Sequence, residues 1–82
     1  MVTVVRVDGL RVVIYVNDHQ PAHVHVFGSG EAKINLLGAD GVPLLVWADA
    51  MTHGEVRRAM RVVVGHQAFL LQRWEDIHGG DD

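Results

Sequence analysis

The chain has 82 residues, a formal net charge of −3 and no cysteine, which excludes disulfide bonds, cysteine-ligated zinc sites and thiol nucleophiles. The negative charge argues against a general nucleic-acid-coating protein but leaves room for a local basic site. The sequence shows neither a signal-peptide pattern nor the run of about 20 apolar residues that a membrane-spanning helix needs. We therefore expect a single domain over residues 1–82, located in the cytoplasm and without a membrane partner.

Residues 3–16 predict the first of two β-hairpins. Asp8-Gly9 lies between two β-rich runs, which is typical of a two-residue type I′ turn. This turn places Arg6 opposite Arg11. The apolar face of the hairpin is then expected to hold Thr3, Val5, Val7, Leu10, Val12 and Ile14, and the other face to carry Arg6, Arg11 and Tyr15.

The second predicted hairpin follows a turn over residues 17–21 and has its loop at Gly28-Ser29-Gly30. A three-residue loop places His25 opposite Lys33, and it places His23 opposite Asn35. The clean alternation of polar and apolar residues along both strands supports this register. We expect the histidines and Lys33 to share one face.

The remaining sequence predicts a short edge strand over 43–47 and a helical portion over 52–78. Thr52 and Glu55 form a capping-box pattern at the helix start, and Gly65 predicts a kink or a split. The core-facing stripe of the helix is Val56, Met60, Val63, Leu70, Trp74 and Ile77. The predicted fold is α+β: an antiparallel meander of four to five strands (1–47) packed on this C-terminal helix, with a frayed tail over 79–82.

Three histidines within seven positions are the most specific chemical feature of the sequence. His23 and His25 are two apart on a strand and therefore point the same way, and His19 on the preceding turn could close on them. Three imidazoles can hold a divalent metal, or act as general acid and base near neutral pH. Lys33 opposite His25 would repel a bound cation, which favours a site without metal.

A basic cluster adds to this feature if both hairpins present their polar faces on the same side. Arg6 and Arg11 place like charges side by side, which destabilises the sheet unless an anion lies there. Together with Lys33 and Tyr15 they could form a phosphate-binding surface. Histidines beside such cations can supply the acid, the base and the charge stabilisation that RNA cleavage needs.

The sequence resembles a small bacterial family catalogued as domain of unknown function 4160, over essentially the whole chain. The resemblance is carried by Arg6-Val-Asp-Gly-Leu-Arg11, Tyr15, Asn17-Asp-His-Gln-Pro-Ala-His-Val-His25, Gly30-Glu-Ala-Lys-Ile34, Glu55-Val-Arg-Arg58 and Leu70-Leu-Gln-Arg-Trp74. Ala22 departs from the pattern, since many members have a second proline there. The resemblance implies motif residues at Arg11, His19, His23, His25, Glu31 and Lys33. It also implies a gene beside that of another small protein, in a candidate toxin–antitoxin pair.

We therefore predict a component of a bacterial two-gene toxin–antitoxin module that cleaves RNA without a cofactor. His23 and His25 would be acid and base, His19 and Glu31 would orient them, and Lys33 would bind phosphate together with Arg6, Arg11 and Tyr15. One alternative is a non-enzymatic module that docks a small partner protein encoded nearby, or a homo-oligomer. Another is a divalent metal site formed by His19, His23 and His25.

Overall fold

The computed structural model describes residues 1–79 and contains five strands followed by two helices. The elements are β1 (Val2–Val7), β2 (Leu10–Ile14), β3 (His23–Phe27), β4 (Glu31–Asn35), β5 (Leu44–Asp49), α1 (His53–Gly65) and α2 (Gln67–His78). All neighbouring strands are antiparallel, and their order in the sheet is their order in the chain. The predicted α+β meander is confirmed.

The first hairpin has the predicted turn and, near the turn, the predicted register. Asp8 and Gly9 both have positive φ angles, 54° and 75°, as a type I′ turn requires. Arg6 pairs with Arg11 as predicted, but a bulge between Thr3 and Val5 shifts the alternation by one residue. The prediction for Thr3 is therefore wrong: Thr3 pairs with Val13 on the other face.

The second hairpin has the predicted three-residue loop, with His25 paired to Lys33 and His23 paired to Asn35. At Gly30 a Cβ atom would collide with the backbone of Asp49 and Ala50, so this position needs glycine to let the end of β5 approach. β5 begins after Pro43 and ends at Asp49, two residues beyond the predicted end of the sheet portion.

The helical portion is split near Gly65, as the sequence indicated. α1 ends at Gly65 and α2 begins at Gln67, with His66 between them at φ −115°. The His66 ring Nδ1 lies 2.8 Å from the carbonyl oxygen of Val62, and this contact ties the break to the end of α1. Of the predicted frayed tail, only Gly79 lies within the described residues, where it caps α2.

The core lies between one face of the sheet and both helices. Its fully or nearly fully buried members are Leu10, Val12, Ile14, Val24, Val26, Ala32, Ile34 and Leu36 from the sheet side, and Ala59, Val62, Val63, Leu70 and Trp74 from the helices. β5 contributes no buried residue, and its apolar side chains from Leu44 to Trp47 remain exposed at the sheet edge. Neither α1 nor α2 is long and apolar enough to cross a membrane.

Glu55 connects the start of α1 to the loop between β3 and β4. The capping box is confirmed, since Thr52 Oγ1 accepts from the Glu55 N–H at 3.1 Å and the carboxylate accepts from the Thr52 N–H at 3.1 Å. The Ser29 hydroxyl and backbone N–H also donate to this carboxylate. These donors lower the pKa of Glu55 because they stabilise its charged form, and the Ser29 hydroxyl has the largest effect.

Glu55→Gln is expected to destabilise the protein at neutral pH, because one amide oxygen cannot replace both carboxylate oxygens. A lowered folded-state pKa adds stability above the ordinary glutamate pKa of about 4.3. That stability is lost as the pH falls through the lowered value, so the difference between wild type and variant should shrink in acid. Urea unfolding at pH 7 and below pH 4 measures the difference in unfolding free energy between the wild type and the variant. Glu75→Gln, on the exposed side of α2, is the control, and a pH-independent difference would contradict the prediction.

Candidate metal centre

The polar residues of both hairpins lie on the sheet face opposite Val12, Val24 and Ile34 of the core, and Trp74 of α2 packs beside His23. Across β2 and β3, Arg11 pairs with Phe27 and Val13 with His25, so Arg11 and His25 share a face. His25 pairs in turn with Lys33, and Lys33 with Trp47. The same-side arrangement of the two hairpins, which the sequence analysis had to assume, is thus present.

The loop after β2 brings a carboxylate against the two strand histidines. Asp18 Oδ2 lies 3.0 Å from His23 Nε2 and 3.7 Å from His25 Nε2. Taken as ligand atoms, one from each residue, the three groups lie within 4.8 Å of one another. Tyr15 positions this loop, because its ring packs edge-on against His25 at 4.8 Å and its carbonyl oxygen lies 3.0 Å from His78 Nε2.

Each histidine uses its other ring nitrogen to contact an acceptor. His23 Nδ1 lies 2.8 Å from the Pro21 carbonyl oxygen, and His25 Nδ1 lies 3.0 Å from Glu31 Oε2. A carbonyl or carboxylate oxygen only accepts, so both Nδ1 atoms carry the hydrogen. In the neutral rings both Nε2 atoms therefore present lone pairs. The two lone pairs are turned toward Asp18.

The three groups are largely buried, so their facing acceptor atoms are costly without a donor or a cation between them. The side chains of His23, His25 and Asp18 are 5%, 12% and 20% exposed. Although His23 Nε2 is close, Asp18 Oδ2 is buried and no hydrogen-bond donor among residues 1–79 is aligned with it. A carboxylate oxygen that faces two lone pairs is unfavourable unless a hydrogen-bond donor or a positive charge lies between them. A metal ion would supply such a charge.

The cluster opens into a pocket of about 330 Å³. One wall is the loop, which contributes Asn17, His19 and Gln20 beside Asp18. The sheet contributes Lys33 and Trp47 in addition to the two histidines. Because the pocket reaches solvent, an ion held by the cluster would keep a side accessible to a small ligand.

The structure brings His23 and His25 together as predicted but leaves His19 outside their cluster. His19 is exposed and lines the pocket, but Asp18, which the sequence analysis missed, takes the place beside His23 and His25. The only sequence signal for Asp18 was an acidic residue within the histidine motif. A strand repeat fixes the direction of His23 and His25, whereas the direction of a turn side chain depends on the loop path.

The remaining predicted residues fall into two places. Lys33 lines the pocket, and Glu31 makes the orienting contact to His25. Arg6 and Arg11 instead line a second pocket beside the Asp8-Gly9 turn, and the Arg11 guanidinium lies 5.2 Å from the centre of the Phe27 ring. The arginines therefore share the face of the histidine cluster but not its pocket.

A family model described as a domain of unknown function (DUF4160) matches residues 9–75, which is more than half of the chain and includes the whole cluster. No curated protein and no solved structure matches the chain.

Proposed function

Because this chain belongs to the family described as a domain of unknown function (DUF4160), its activity has to be inferred from its own site, and we propose that it binds a divalent transition metal ion. Asp18 Oδ2, His23 Nε2 and His25 Nε2 are the proposed ligands. Two imidazoles and one carboxylate are a donor set suited to zinc and to iron(II). Three protein ligands leave a position open, which is typical of catalytic rather than structural sites.

The observation that carries the proposal is the pair of outer contacts on the histidines. Ligating histidines almost always donate their second N–H to a carboxylate or a backbone carbonyl, which fixes the ring and its tautomer. Here His25 Nδ1 contacts the carboxylate of Glu31, and His23 Nδ1 contacts the carbonyl oxygen of Pro21. The unmatched, buried Oδ2 of Asp18 supports the same conclusion, since a metal ion would satisfy it.

The repulsion expected from Lys33 is offset in this arrangement. Asp18 and Glu31 both lie against the histidines, so two negative charges accompany the one positive charge of Lys33. Lys33 also lines an open pocket, where water screens its charge. A bound divalent ion would supply a Lewis acid to a ligand in the pocket. Asp18, His23 and His25 would hold the ion, and Lys33 would be free to contact that ligand.

The predicted cleavage of RNA, with His23 and His25 as acid and base, stays a prediction. The geometry favours metal binding over it, because the His23 side chain is only 5% exposed and both its nitrogens already face oxygen atoms. An acid or base must reach the proton it transfers. The toxin–antitoxin role, the small partner protein, homo-oligomerisation and the cytoplasmic location also stay predictions.

The test uses protein expressed without a histidine tag, stripped with a chelator and titrated with zinc or cobalt(II). We expect one metal ion per chain and the visible absorption of cobalt(II) in a site of nitrogen and oxygen ligands. Asp18→Asn and His23→Gln should lower the affinity by more than about 100-fold, since each removes a ligand. His53→Gln, at the exposed start of α1, is the control.

The same titration separates the competing arrangements. His19→Gln should leave the affinity nearly unchanged, because His19 lies outside the ligand cluster. A large loss with His19→Gln and none with Asp18→Asn would support the three-histidine set instead. Wild-type protein that binds no metal would overturn the proposal.

A further inference from the structure

We propose that the pocket beside the metal centre binds the phosphate group of a nucleotide, with Lys33 on the phosphate and Trp47 against the base. This inference rests on the metal site proposed above. It starts from a row of three residues across the sheet, in which Lys33 lies between His25 on β3 and Trp47 on β5. All three line the same pocket. Directly paired residues in a sheet have Cβ atoms about 4.5–5.5 Å apart, so one small ligand can contact all three.

The charge of the pocket selects an anion. The ion pairs among residues 1–79 are His23 and His25 with Asp18, His25 with Glu31, and Arg73 with Asp76, so Lys33 takes part in none of them. The carboxylates of Asp18 and Glu31 balance a divalent ion, and Lys33 then leaves a positive charge in excess. A phosphate group fits this environment, since one oxygen can complete the metal coordination while another accepts from the lysine ammonium.

Trp47 selects a ligand with a flat apolar part. Its side chain is 40% exposed at the pocket, and its ring centre lies 6.1 Å from that of His25. An exposed indole beside a phosphate site is a surface on which any of the nucleobases can stack, because each has a flat π-face. The pocket volume of about 330 Å³ is at the small end of ligand sites, which suits one nucleotide. Asn17 and Gln20 on the loop wall offer amides to the sugar or base.

The test is carried out on the zinc-loaded full chain, with metal content measured separately by elemental analysis. The probes are AMP, inorganic phosphate and adenosine, followed by calorimetry and by tryptophan fluorescence. Trp47 is the exposed tryptophan, while Trp74 is 2% exposed, so stacking should quench mainly the Trp47 emission. We expect AMP to bind more tightly than phosphate, and both to bind more tightly than adenosine.

Two variants assign the contacts. Lys33→Met should weaken both AMP and phosphate about tenfold or more, as expected for the loss of a charge-assisted hydrogen bond. Trp47→Leu should weaken AMP about fivefold or more and leave phosphate unchanged, because only the stacking contact is removed. Arg61→Gln and Phe69→Leu, both at exposed positions on the helices, are the matched controls.

The outcomes separate this inference from the metal proposal. Zinc-loaded protein that binds neither AMP nor phosphate would overturn the inference while the metal site stands. Equal affinity for AMP and phosphate, unaffected by Trp47→Leu, would show a free phosphate site and overturn the nucleotide assignment. A Lys33→Met variant with wild-type affinity would remove the lysine contact on which the inference depends. Protein that takes up no zinc would overturn both proposals.

Discussion

Trp74→Ala is expected to lower the free energy of unfolding by about 3–5 kcal/mol, the usual cost of removing a buried aromatic side chain. Trp74 is 2% exposed and lies in the core between the sheet and α2. A domain has only about 5–15 kcal/mol of stability in total, so this single change should remove a large share of it.

The change should also disturb the candidate metal centre, because Trp74 connects it to the core. The Trp74 ring centre lies 5.2 Å from that of His23 and 3.8 Å from that of His78. His78 Nε2 in turn lies 3.0 Å from the carbonyl oxygen of Tyr15, at the start of the loop that carries Asp18. Loss of the indole therefore loosens both the strand side and the loop side of the cluster.

Urea unfolding followed by circular dichroism measures the stability change, and Phe69→Ala is the matched control. Phe69 is an aromatic residue of the same helix with 48% of its surface exposed, so its removal should change stability by about 0.5 kcal/mol or less. Similar losses in both variants would contradict burial of Trp74 as the source of its effect, because alanine has the higher helix propensity and does not itself weaken α2.

Much of the sheet could be predicted because its information is local. The Asp8-Gly9 turn and the three-residue loop at residues 28–30 each fix a register within a few positions, and both registers are present. The bulge in β1 could not be predicted in the same way. Val4 and Val5 are both apolar, so either can face the core, and the sequence pattern does not distinguish a regular strand from a bulged one.

The candidate site was predictable to the extent that strands form it. The two-residue spacing of His23 and His25 predicts one shared face, and the loop length places Glu31 and Lys33 nearby. Asp18 could not be assigned, because it depends on how the loop folds back over the sheet. Without the Asp18 carboxylate, the positive charge of Lys33 disfavours a metal ion beside His25, and the sequence therefore predicted a metal-free site. Asp18 and Glu31 together offset that charge, which favours a cation.

Glu31→Gln is expected to lower the zinc affinity about 10–100-fold, although Glu31 is not a proposed ligand. The Glu31 carboxylate can only accept from His25 Nδ1, so it keeps the lone pair on Nε2, the proposed ligand atom. An amide can instead donate to Nδ1 and place the hydrogen on Nε2, which cannot then bind metal. The Glu31 side chain is 34% exposed, so the stability of the metal-free protein should change little.

The loss of affinity should appear as a loss of zinc-dependent stability. At free zinc 100 times the dissociation constant, the wild type gains about 2.7 kcal/mol of folding free energy from binding. A 100-fold weaker variant at the same zinc concentration gains only about 0.4 kcal/mol. Chelator should bring both proteins to nearly the same stability, and Glu75→Gln should behave as the wild type does. An equal zinc-dependent gain in Glu31→Gln would contradict the orienting role of Glu31, whereas no gain in the wild type would contradict the metal site itself.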